Sequence, residues 1–139
     1  MPEASTIVVS GVVIRDHAGR LLTVRKRGTQ RFMLPGGKPE PGESDIEAAV
    51  RECAEEIGLT VADNALLRWG RFRCAAANED GFDLVATVFE HDRVDPIITP
   101  AAEIAEIRWL DVEVRPLPDD LAPLLVDHVV PALRATADS

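Results

Sequence analysis

The sequence predicts an α+β domain, an α/β/α layered arrangement around a mixed β-sheet. Segments rich in β-branched residues lie before, between and after two helical segments, an order that suits helices packed on a mixed sheet. The 139 residues are enough for one domain with a proper core. With 46% apolar and 28% charged residues, the composition is that of an ordinary soluble globular protein. No repeat, low-complexity segment or linker interrupts the chain, so residues 1–139 read as a single domain.

The elements follow in order. Thr6 to Arg15 is a β-branched run that suits a strand buried on both faces. Asp16 to Gly19 reads as a turn, and Arg20 to Lys26 as a second strand in an antiparallel hairpin with the first. A polar loop and Arg31 to Leu34 lead into Pro35-Gly36-Gly37. Ser44 and Glu47 form an S-x-x-E capping box that starts a helix, and Gly58 is suited to end it in the left-handed conformation. Within it Ile46, Ala49, Val50, Cys53 and Ile57 make one apolar stripe. Leu66 to Ala76 and Phe82 to His91 read as strands around a turn at Asn78 to Gly81. Ile104 to Leu110 is a further strand. Asp120 is the expected N-cap of a final helix, Leu121 to Leu133, that Pro131 should kink or end. The tail from Arg134 is expected to fray.

The first helix carries the chemistry. At 100° per residue, Glu52, Glu55 and Glu56 gather on the side away from the apolar stripe. Like charges at i,i+3 and i,i+4 repel, and carboxylates late in a helix oppose its dipole. A divalent cation would reverse both penalties, and all-oxygen ligation suits Mg²⁺ or Mn²⁺. The alternative is a solvated acidic face with Arg51 as counter-charge.

Spacing then decides. Gly37, Glu43, Arg51, Glu52, Cys53, Glu55, Glu56, Gly58 and Leu59 fill the pattern G-x5-E-x7-R-E-φ-x-E-E-x-G-φ, where φ is apolar. This segment, residues 37–59, resembles the Nudix box, and the chain is similar to Nudix (MutT-like) hydrolases. Cys53 departs only in packing. The resemblance implies the Nudix fold, with the loop-helix-loop packed on the sheet. It implies Glu52, Glu55 and Glu56 as ligands of Mg²⁺ or Mn²⁺, with Glu56 foremost, and a backbone carbonyl of Gly36 or Gly37, taken as Gly37. Arg51 and Glu43 match positions that pair to orient the carboxylates; a purely structural ion pair is the other reading. The catalytic base differs among such enzymes: Glu55 is one candidate, and Glu103 and Glu106 are candidates for an extra ligand or base. Arg25, Arg27 and Arg31, with Lys26, precede the glycine loop and are candidates for substrate phosphate, against an ordinary basic rim. Trp69, Phe72, Phe82 and Phe89 read as core.

The implied reaction is hydrolysis of a phosphoric anhydride in a nucleoside diphosphate linked to another group. Three sub-families lack support. Cys74-Ala75 stands where ADP-ribose enzymes tend to carry proline, and the chain has no tyrosine of the kind diadenosine polyphosphate enzymes use. Leu21 to Arg25 matches the start of a coenzyme A signature that Lys26 and Gln30 break. A (deoxy)nucleoside triphosphate remains as the default. The alternative is a Nudix-fold nucleotide-binding or regulatory module without turnover. Such modules often lose box glutamates, and this chain keeps all of them. An isoprenoid diphosphate isomerase would want a catalytic cysteine, whereas Cys53 faces the core.

The net charge of −9 argues against a nucleic-acid polymer as partner, since that needs a basic patch. Cys53 and Cys74 form no C-x-x-C pair, and two cysteines make no disulfide framework. MPEASTIVV lacks the features of a signal peptide, and no apolar run reaches spanning length, so the expected compartment is the cytoplasm, without membrane. The family resemblance adds that members are often homodimers.

Overall fold

The computed structural model describes residues 5–96 and 98–137. Its centre is strand β1, Thr6–Val13, whose two edges are both occupied. On one side β1 pairs antiparallel with the two-residue strand β3, Gly36–Gly37; on the other it pairs parallel with β5, Asp83–Glu90. Strand β4, Leu67–Ala75, closes this sheet on the far edge of β5, giving the order β3-β1-β5-β4. A second sheet pairs β2, Leu21–Lys26, antiparallel with β6, Ile104–Leu110.

The hairpin expected between β1 and β2 is therefore corrected. Its turn does form: the Asp16 carboxylate accepts the N–H groups of Ala18 (3.0 Å) and Arg20 (2.8 Å). The ladder continues only to Leu22 N–H on Ile14 O, 2.8 Å. Beyond that, no edge of β1 remains for β2, and the arms part into separate sheets.

Helix α1, Asp45–Ile57, carries the expected capping box, Glu47 N–H on Ser44 Oγ at 3.1 Å and Ser44 N–H on Glu47 Oε1 at 2.8 Å. Gly58 ends it with φ 67°, in the left-handed region. Ala49, Cys53 and Ile57 bury the stripe against Val12, Ile14, Leu22, Val24, Phe89 and Ile104. The opposite face of the main sheet (Val13, Ala86, Val88, with Phe72 and Trp69 against them) packs on Leu124, Leu125, Val129 and Leu133 of the C-terminal helix. Helix, sheet and helix make the layered α+β arrangement that the sequence predicts. Consecutive β1 residues feed opposite cores, which is why its inner half reads as an unbroken apolar run.

The C-terminal helix differs from expectation at both ends. It starts at Pro123 rather than after an Asp120 cap. Phe32 N–H donates to Asp120 O and Ala122 N–H to Phe32 O, so the chain is still extended there. The Asp120 carboxylate instead takes both guanidinium nitrogens of Arg108 at 2.7 Å, and that guanidinium lies 3.8 Å over the Phe32 ring. Proline is well placed in a first turn. Pro131 is accommodated by a wider π turn, Leu125–Val129, closed by Val130 N–H on Leu125 O; helix α2, Val130–Ala137, continues beyond it. Arg134, where fraying was expected to begin, is tied down, its guanidinium donating to the carbonyls of Val112 (2.6 Å) and Val114 (2.9 Å). Among the described residues, no helix is long and apolar enough to cross a membrane.

Candidate active site

The β3–α1 unit positions the site. Gly36 and Gly37 run close to β1 and α1, Gly36 against backbone that leaves no room for a side chain and Gly37 against the end of a side chain that can move. A Cβ at Gly36 would strike the Ser10 carbonyl, and one at Gly37 would strike the Glu52 carboxylate. Gly36 N–H donates to Glu56 Oε1 at 3.1 Å.

The three box glutamates differ in depth. Glu56 is 1% exposed, and its Oε2 is a buried oxygen with no hydrogen-bond partner among the described residues. Burial pushes its carboxyl up to about 7, against the Gly36 hydrogen bond and the Lys26 charge. Glu52 is largely covered, and burial raises its carboxyl too, opposed by Arg51 and Lys26. Glu55 is half exposed. Cys53, between them in sequence, faces the core with its thiol pushed up to about 12 by burial, which leaves it inert.

Arg51 organises the rest. It grips Glu43 with two bonds, Nε to Oε2 at 2.8 Å and a terminal nitrogen to Oε1 at 2.9 Å. That fork, with the Glu40 N–H, holds the Glu43 carboxyl down at about 2. The same guanidinium reaches Glu55 Oε1 (3.1 Å), Glu52 Oε2 (3.3 Å) and the Lys38 carbonyl (3.2 Å). On the other side Lys26 Nζ lies 3.7 Å from Glu56 Oε2 and 3.5 Å from Glu103 Oε1. With Arg51 drawing Glu52 and Glu55, and Lys26 between Glu56 and Glu103, no three of the described His, Cys, Asp and Glu side chains stand gathered for an ion.

The residues nevertheless fit a hard divalent cation. Glu56 presents a buried carboxylate oxygen that no donor among the described residues satisfies, beside Gly36, whose backbone packing leaves no room for a Cβ. An orphaned buried carboxylate of this kind is costly unless a proton or a cation meets it.

A cleft of about 360 Å³ opens from this corner. Gly36, Gly37, Lys38, Glu52, Arg51 and Lys26 line its polar end; Ile7, Val9, Leu84, Leu124 and Leu125 line its aliphatic side. Of the candidates outside the box, Glu103 lines the cleft and Glu106 does not, because Glu106 pairs with Arg25 at 3.2 Å. Arg25, Arg27 and Arg31 are also absent from the cleft wall. Arg25 is engaged by Glu106 and the Thr29 carbonyl, Arg31 by the Leu121 carbonyl, and Arg27 is exposed. The cations that do line it are Lys26, Lys38 and Arg51. Sequence reading grouped Lys26 with its arginine neighbours; strand alternation, which sends consecutive side chains to opposite faces, separates them. None of the four aromatics assigned to the core lines the cleft, although Phe82 is 38% exposed.

Replacing Gly37 with alanine should push the Glu52 carboxylate aside at little cost to the fold, since the obstructed atoms end a flexible side chain. We expect kcat to fall about 10- to 100-fold with less than about 1 kcal/mol lost in stability, read by steady-state kinetics and a thermal melt.

The NUDIX domain family model matches residues 5–128. An RNA pyrophosphohydrolase of Halorhodospira halophila is 32% identical over 118 residues, covering 73% of this chain and 64% of that protein. A Mycobacterium tuberculosis protein, provisionally named 8-oxo-dGTP diphosphatase 2, is 44% identical over 63 residues, 43% of this chain and 44% of that one. The chain thus spans less than two thirds of the length of these curated relatives. The MutT protein of Methanosarcina mazei Go1 has the same fold, with a TM-score of 0.72 at 22% identity and 96% of both chains covered. A NUDIX hydrolase of Nitrosomonas europaea matches with a TM-score of 0.66 at 25% identity, over 96% of this chain and 88% of that one. With nearly all of the described fold inside the family match, the chain belongs to the Nudix (MutT-like) hydrolase family.

Proposed function

We propose that the protein is a divalent-metal-dependent pyrophosphohydrolase that cleaves a nucleoside or deoxynucleoside triphosphate to the monophosphate and pyrophosphate. The observation that carries this reading is the orphaned, buried Glu56 Oε2, which lies behind the cleft wall 3.7 Å from Lys26 Nζ; the cleft itself is lined by three cations and, elsewhere, by aliphatic side chains. One relative is named an RNA pyrophosphohydrolase and the other an 8-oxo-dGTP diphosphatase, which supports anhydride hydrolysis on a nucleotide substrate. The size of the cleft suits one nucleotide, and a net charge of −9 weighs against gripping a polymer backbone.

Glu52, Glu55, Glu56 and the Gly37 carbonyl are the residues that would hold Mg²⁺ or Mn²⁺. Bound there, the ion would neutralise phosphate oxygens and polarise phosphorus. Arg51, fixed by Glu43, aims the carboxylates, and with Lys26 and Lys38 offsets the phosphate charge. Glu103 is the favoured base, because of the two glutamates proposed outside the box it is the one on the cleft wall. It would take the proton of the attacking water as the new P–O bond forms. The anhydride bond between the α- and β-phosphorus atoms then breaks, and water's oxygen ends on whichever phosphorus it attacked, giving monophosphate and pyrophosphate. The aliphatic wall would receive the base and sugar.

The test is a screen with Mg²⁺ and with Mn²⁺ over nucleoside triphosphates, 8-oxo-dGTP, a short 5′-triphosphorylated RNA, nucleotide sugars, ADP-ribose, dinucleoside polyphosphates and coenzyme A, with products separated by ion exchange. Monophosphate and pyrophosphate from a triphosphate are expected. Preference for another class would replace the substrate, and tight binding without turnover under either metal would favour a regulatory module.

A further inference from the structure

Lys26 stands where the β2–β6 ladder breaks register. Arg25 faces Glu106, but Lys26 faces Ile104, so Ala105 is passed over. Such bulges re-aim side chains beside functional sites. Just past this one, Arg27 N–H donates to the Glu103 carbonyl at 2.8 Å, fixing Glu103 beside the end of β2. The result is an ammonium placed between two carboxylates, Glu56 Oε2 at 3.7 Å and Glu103 Oε1 at 3.5 Å. It is close enough to Glu56 for charge attraction yet makes no hydrogen bond to Oε2, which stays without a donor. A side chain that neutralises a buried oxygen without bonding it leaves room for a smaller, more highly charged ion.

We propose that Lys26 is an internal counter-cation that holds Glu56 and Glu103 in the metal-free protein and is displaced when a divalent ion takes Glu56. The inference rests on reading Glu56 as a metal ligand. Ion and ammonium repel one another, so they compete for the same carboxylate. The affinity of the site for metal therefore includes the work of parting Lys26 from Glu56, and metal binding frees the ammonium within the cleft. Lys26 is a positioning residue in this account.

Two readouts independent of turnover test it. Lys26→Met removes the charge and keeps the stem. By calorimetry at pH 8.5, it should bind Mg²⁺ about tenfold more tightly than the parent protein, within the range of ordinary coupling between ligands. In the unaltered protein, Mg²⁺ should speed acylation of Lys26 several-fold relative to Lys38, the only other lysine, as read by peptide mass spectrometry. The labelling arm needs no variant, so it decides the matter even if Lys26→Met does not fold. Mg²⁺ binding that is equal or weaker in a folded Lys26→Met protein, or labelling that Mg²⁺ leaves unchanged, would overturn the counter-cation. Absence of Mg²⁺ binding in both proteins would overturn the metal reading of Glu56 and this inference with it.

Discussion

Glu56→Gln is expected to lower turnover at least about 100-fold and, in the same protein, to flatten the pH dependence of metal-free stability. The first effect follows from the proposed role of Glu56 as a charged metal ligand, in a reaction where charge stabilisation would do most of the work. The second follows from burial. The Glu56 carboxyl sits at about 7 in the fold against an ordinary value of 4.5. The native state therefore binds this proton more tightly than the unfolded chain does, and ionisation costs stability. The cost is absent below about pH 4.5, grows as pH rises, and is complete above about pH 7, where it is on the order of 3 kcal/mol. Glu52, also raised by burial, works in the same direction and stays in the variant. Glu43 and Asp120 are held down by Arg51 and Arg108, so their contribution is lost only as pH falls through more acid values, outside this window. Denaturant melts at pH 5 and pH 8 without metal should show a clear loss for the parent protein and a much smaller one for Glu56→Gln. Equal losses would mean that Glu56 is not the group responsible. Saturating Mg²⁺ at pH 8 should restore stability to the parent protein alone.

Arg51→Lys should cost about 10- to 100-fold in activity and weaken metal binding, although the charge is kept. Lysine cannot reproduce the two-pronged grip on Glu43 while also reaching Glu52, Glu55 and the Lys38 carbonyl. Without that fork the carboxylates lose their common anchor. Kinetics against Mg²⁺ concentration would show both effects, a higher metal requirement and a lower plateau. An unchanged plateau would make Arg51 a structural ion pair only.

The parts of the fold legible in sequence are those specified by neighbours along the chain. The Ser44–Glu47 box, the left-handed Gly58 and the apolar stripe of α1 all lie within a few turns of one another, and the structure has each where the pattern puts it. Strand β6 is likewise bounded as expected, Ile104 to Leu110. What was hidden is pairing across distance. The partner of β2 depends on β1 having both edges filled, and a local hairpin signal carries no information about that. Asp120 has the residue type of a cap, but Arg108 claims its carboxylate. In the site, the expectation that Glu52, Glu55 and Glu56 all lie away from the apolar stripe is corrected: helical phase sets Glu56 next to Ala49 at the edge of the stripe and Glu55 opposite it, and their depths follow. Glu55 is half exposed, whereas Glu56 lies under the glycine strand. The basic run before the glycines reads as one cluster, and only the sheet shows that Lys26 enters the cleft while Arg25 turns to Glu106. The bulge beside Lys26 has no sequence signature here, since neither strand carries a glycine or proline at that point.

The most direct measurement is hydrolysis of a deoxynucleoside triphosphate set by the parent protein and by Glu56→Gln, with Mg²⁺ titrated from none to saturation and products resolved. Mg²⁺-dependent release of monophosphate and pyrophosphate by the parent protein, and its near-complete loss in the variant, are expected. Turnover that persists undiminished in Glu56→Gln, or that proceeds equally without metal, would contradict the proposed function.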